Sequence, residues 1–184
     1  MTILRIVLVA ALFGPGLRSF AQSMAAEPAS ASSTVMGTWS MIEKDFTSAA
    51  EAMPEEKYSF VPTTGEFKGA RSFAQQVQHV ACANFAFFKE FEGKQPDEDC
   101  RYNGQEPKKS KAEIMKYLRD SFQFADQALA RLSTQNSLDR VEGPYGGPST
   151  KLGITVLAVW HASDHYGQVV EYLRMNGIVP PASR

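Results

Sequence analysis

Two histidines stand four residues apart in His161-Ala162-Ser163-Asp164-His165, inside a stretch whose apolar spacing predicts a long helix. Positions i and i+4 share one face of a helix, close enough for two imidazoles to hold one cation between them. The sequence contains three histidines, and the third, His79, falls in another helical stretch. Packing these two helices face to face would complete a three-imidazole shell with coordination positions left open for water or substrate. Such a shell suits a divalent ion, zinc or nickel first and iron or manganese next, with supply deciding among them. Its chemistry would be to lower the pKa of a water or thiol and so make a nucleophile near neutral pH.

A base is wanted beside such a centre, and Asp164, three residues after His161, is the candidate catalytic residue. It also reads as an outer hydrogen-bond acceptor or as a solvated helix residue. Gln168, three after His165, has the same outer role open to it, or that of a bundle-interior hydrogen bonder. Cys82 lies one turn after His79, and Cys100 in the loop that follows. The pair reads as a disulfide, as two buried thiols, or with Cys82 as a thiolate ligand. Trp160, Tyr166, Tyr172, Phe85 and Phe88 have helical spacing and read as core before pocket lining.

The elements that must position these residues are four. Apolar positions from Val35 through Trp39, Ile42, Phe46 and Ala49 to Met53 define the first helix, stopped by Pro54. Glu55 to Gly69 has no helical period and reads as a loop packed by Tyr58, Phe60 and Phe67, a candidate wall or lid of a site. Ser72 caps a second helix that carries His79 and ends near Gly93. Ser110-Lys111-Ala112-Glu113 is a capping box opening a third helix that runs to about Leu132. Thr150 opens the fourth, which carries His161 and His165 to Asn176, with Gly177 as its stop. No alternating strand pattern and no internal repeat is present, so the expected class is all-α, a four-helix bundle.

Composition narrows the function classes. The chain has 184 residues, enough for one domain, and its 19 basic and 20 acidic residues are interspersed, which gives no footprint for nucleic acid. Arg5, the apolar run Ile6 to Phe13, the breakers Gly14-Pro15-Gly16 and the small residues of Ser19-Phe20-Ala21 describe a signal peptide over residues 1–21. The run is too short to span a bilayer, so no stable membrane insertion is expected after cleavage. Losing Arg5 and Arg18 and no acid takes the formal charge from -1 to -3. Residues 22–33 are small and polar and read as a flexible leader, with the folded domain at 34–184. The expected address is the periplasm or the exterior, where disulfides persist.

Several segments together resemble one family: Trp39, Gln78-His79-Val80-Ala81, Trp160 through Gln168, Tyr172-Leu173-Arg174, and Gly177-Ile178-Val179-Pro180-Pro181. From about Thr34 to the C-terminus the chain is similar to the DinB/YfiT-like superfamily of metal-binding four-helix bundles. That resemblance implies that His79, His161 and His165 are a metal triad and that the bundle pairs as a homodimer. It also implies a small-molecule substrate, since members include metal-dependent thiol transferases and a mycothiol-dependent isomerase. Export would separate this chain from the cytoplasmic thiols those enzymes use. The expectation is therefore an exported metal-dependent hydrolase or transferase, or else a non-catalytic metal-binding or structural bundle in the periplasm.

Overall fold

The computed structural model describes residues 30–97, 100, 110–143 and 147–184. The expected signal peptide and residues 22–29 of the leader lie outside the described residues. Four helices dominate: α1 (Ala31–Ala52), α2 (Phe73–Phe91), α3 (Lys111–Leu129) and α4 (Lys151–Met175). Helix α1 packs on α4 and α3, and α2 packs on α3 and α4, so the order around the bundle is α1, α4, α2, α3. This ring places the His79 helix directly against the helix of His161 and His165.

Local signals explain where each helix starts. In α1, α2 and α3 a serine N-cap accepts from the N3 backbone while the N3 side chain returns to the cap: Ser30 with Ser33, Ser72 with Gln75, Ser110 with Glu113. Each such cap is worth about 1 kcal/mol. Helix α1 begins at Ala31, earlier than the expected Thr34, because the Ser30 and Ser33 box satisfies its first N–H groups; the leader expected through residue 33 is correspondingly shorter. Helix α3 ends at Leu129, before the expected Leu132, where Arg131 and Leu132 turn back to the carbonyls of Ala128 and Leu129. Gly177, at φ +73°, ends α4 in the left-handed conformation that glycine adopts freely.

Two features were not in the sequence pattern or were only half visible there. A small antiparallel hairpin, β1 (Arg140–Glu142) against β2 (Pro148–Thr150), precedes α4, with Arg140 opposite Thr150. Three-residue strands are too short to display an alternation, so backbone pairing, not side-chain period, makes them. The aromatic loop after α1 docks on the helices: Tyr58 donates its hydroxyl to the Ala50 carbonyl at 2.8 Å, and the carbonyls of Phe60 and Tyr58 receive the N–H groups of Phe73 and Ala74. Its backbone thereby satisfies the first turn of the His79 helix.

The core is aromatic. Trp39 is buried between Phe88 and Phe122, with ring centroids at 5.1 and 5.2 Å, and its indole N–H donates to Asp126 at 2.9 Å. Contacts of this kind join α1, α2 and α3 around one centre. Phe46, Phe73, Met53, Leu118, Ile154 and Leu173 fill the rest. Among the described residues, no helix is long and apolar enough to cross a membrane.

Candidate metal centre

Helix α2 brings His79 to the seam with α4, where His161 and His165 project one turn apart. One ligand atom from each of the three lies within 4.8 Å of the others. The Nε2 atoms of His79 and His161 are 3.1 Å apart, and the three ring centroids are separated by 5.0, 4.7 and 4.6 Å. Two nitrogens bound to one ion at zinc-like distances of about 2.0–2.1 Å, with that spacing, would subtend roughly 100° at it, between octahedral and tetrahedral angles. The residues therefore fit a divalent ion.

Electrostatics favour the same use. His161 and His165 are buried and His79 is half-buried. Burial is the largest cause that lowers each imidazole, His79 to about 4, His161 to about 3 and His165 to about 2. The neighbouring rings depress His161 and His165 further, and the Arg71 guanidinium depresses all three. Neutral rings offer lone pairs to a cation; charged ones would repel it.

Each ring is held differently from outside. His165 Nδ1–H donates to Gln76 Oε1 at 2.8 Å, leaving Nε2 for the shared space. Gln76, on α2, donates to Gln168 Oε1 on α4 at 2.6 Å, and Gln168 Nε2 donates to Asp164 Oδ2 at 3.0 Å. His79 is drawn upward in pKa by a backbone hydrogen bond with Cys100, the sense expected when the ring donates to a carbonyl. His161 packs edge-on against Phe87 at 5.3 Å, and its Nδ1 is buried with no hydrogen-bond partner among the described residues.

The sequence expectations sort accordingly. His79, His161 and His165 come together. Cys82 and Cys100 are joined as a disulfide, which leaves Cys82 no thiolate to offer as a ligand. Gln168 is the interior hydrogen bonder. Asp164 is exposed, and its carboxylate joins the network through Gln168, two side chains away from His165. Phe88 is core, Trp160 is exposed where core was expected, and the Tyr172 hydroxyl donates to the Arg71 carbonyl at 3.0 Å. Gln76, Arg71, Phe87 and the Cys100 carbonyl escaped sequence reasoning. Gln76 left one signal, a polar side chain one turn before His79 on a helix otherwise rich in buried apolar residues.

Comparison with known proteins adds an independent view. A family model described as the DinB superfamily matches residues 39–169. A DinB-like protein from Bacillus cereus is similar in structure, with a TM-score of 0.66 at 15% identity over 81% of this chain and 95% of that one. A conserved protein from Enterococcus faecalis gives a TM-score of 0.57 at 15% identity over 78% of this chain and 95% of that one. At such identities the structural likeness speaks for the fold. No curated protein sequence matches the chain significantly.

Proposed function

The chain belongs to the DinB superfamily, and from that premise we propose that it is an exported metal-binding protein acting as a metal-dependent hydrolase or transferase on a small molecule. The observation that carries this reading is the convergence of three neutral imidazoles from two packed helices, His79 the least buried of them. Zinc or nickel is the first choice of ion, iron or manganese the next. When bound, such an ion supplies Lewis acidity, lowering the pKa of a water or thiol to near neutrality. The protein's own part is to hold and orient. Nε2 of His165 is presented by the Gln76 bond, the His79 ring is set by Cys100, and Phe87 covers the flank of His161. The Arg71 cation, close enough to depress all three imidazoles, would favour an anionic substrate group beside them.

A second reading is favoured by the site's position across the α2 and α4 seam: the ion ties two helices and the protein sequesters metal or serves as a structural bundle. One experiment addresses both. His161→Ala is expected to lose stoichiometric metal by elemental analysis of untagged protein, and with it any turnover of thiol conjugates or esters. Full metal content in that variant overturns the site. Metal that raises the melting temperature of the parent protein without any turnover favours the second reading.

A further inference from the structure

A chain of three hydrogen bonds runs from a triad imidazole to the protein surface: His165 Nδ1 to Gln76 Oε1, Gln76 Nε2 to Gln168 Oε1, Gln168 Nε2 to Asp164 Oδ2. A carboxamide has one accepting end and one donating end. Both amides use both ends here, so the chain has a direction, and turning over one member turns over the other. The two glutamines themselves have no preference. Flipped together they would bond each other equally well, but Gln76 would then donate to His165 Nδ1 and leave the ring hydrogen on Nε2.

The ends of the chain are not equivalent. His165 accepts either direction by changing tautomer, whereas an ionised carboxylate only accepts. A flipped Gln168 would point its oxygen at Asp164. The carboxylate therefore breaks the symmetry. Asp164 and Gln168 are i and i+4 on α4, which keeps them adjacent without help from other elements. Gln76 and His165 are buried, Gln168 is half-buried and Asp164 is exposed. The charge stays in water while its effect travels inward as bond direction.

We propose that Asp164 is a positioning residue that sets the tautomer of His165 from the surface, holding hydrogen on Nδ1 so that the Nε2 lone pair faces the triad. The inference rests on the reading of the triad as a metal centre. It gives Asp164 a different part from the base expected on sequence grounds: it acts through two amides and touches no reacting atom. Outer hydrogen bonds of this sort typically change metal affinity 10- to 100-fold.

The test compares Asp164→Asn, Asp164→Lys and Asp164→Lys combined with Gln168→Glu. Two measurements are made: the ¹⁵N shifts of the His165 imidazole in metal-free protein, and zinc affinity by competition with a chromophoric chelator. The parent protein is expected to show the Nδ1–H tautomer. Asparagine can accept or donate, so that variant should no longer pin the direction and should show both tautomers, with an affinity between those of the parent and the lysine variant. Lysine only donates, so it should turn both amides, move the ring hydrogen to Nε2 and weaken zinc about 10- to 100-fold. Adding Gln168→Glu returns an acceptor to Gln76 and should restore the tautomer. An unchanged His165 tautomer in Asp164→Lys overturns the proposal, as does an asparagine variant that shifts the tautomer further than the lysine one. If the parent binds no zinc, the metal reading fails, while the nitrogen shifts still decide the positioning role.

Discussion

His79, His161 and His165 couple the site to pH through burial. Their folded values of about 4, 3 and 2 lie below the ordinary 6.5 to which unfolding returns them. Between those limits the unfolded chain binds more protons than the folded one. The histidine contribution is thus fully present above pH 6.5 and is lost as pH falls through the folded values. Arg71 and the neighbouring rings act in the same sense. Glu90 acts in the opposite one, because burial and Glu142 raise it to about 7, and so does Glu43, raised by burial and Asp126. Subtracting the profile of a His165→Gln variant cancels the glutamates. Metal-free parent protein should lose melting temperature more steeply than this variant between about pH 6.5 and about pH 4. Superimposable profiles would count against neutral burial of His165. Residue types and spacing made the triad legible, since i, i+4 histidines on a helix share a face whatever surrounds them. Gln76 was not legible, because its role depends on a residue 89 positions away.

Helices α2 to α4 were legible because their caps are local chemistry, with Ser72, Ser110 and Thr150 each accepting from a backbone N–H three residues on, and α1 was legible from its apolar period alone. The hairpin before α4 was not, since its short strands are made by pairing alone. The disulfide stood open in the sequence and is closed in the structure, linking α2 to the loop that follows it across a separation of 18 residues. Constraining a loop of that length in the unfolded chain is worth about 3 kcal/mol by chain-entropy reasoning. Cys82→Ala with Cys100→Ala should therefore lower the denaturant midpoint by a corresponding amount. It should also weaken metal binding, because the Cys100 carbonyl on His79 would no longer be tied to α2. An unchanged midpoint and an unchanged affinity would remove the disulfide from both roles.

The whole bundle places α2 beside α4, and that adjacency makes a site from residues that no local pattern joins. We infer export from the N-terminal pattern, and the disulfide accords with an oxidising compartment. Expressed with its own N-terminus in a bacterium that exports proteins, the chain should be recovered outside the cytoplasm beginning at Gln22, as read by N-terminal sequencing. Cytoplasmic protein retaining Met1 would refute this. What the sequence alone determined is local: the four-helix class, the caps, and which three imidazoles could meet, all set by periodicity and neighbouring residues. Only the tertiary structure decided which nitrogen His165 presents, that Cys82 is bonded and not a ligand, and that Asp164 reaches the triad through two amides. A ring's tautomer is chosen by its hydrogen-bond partners, and here those partners come from a different helix.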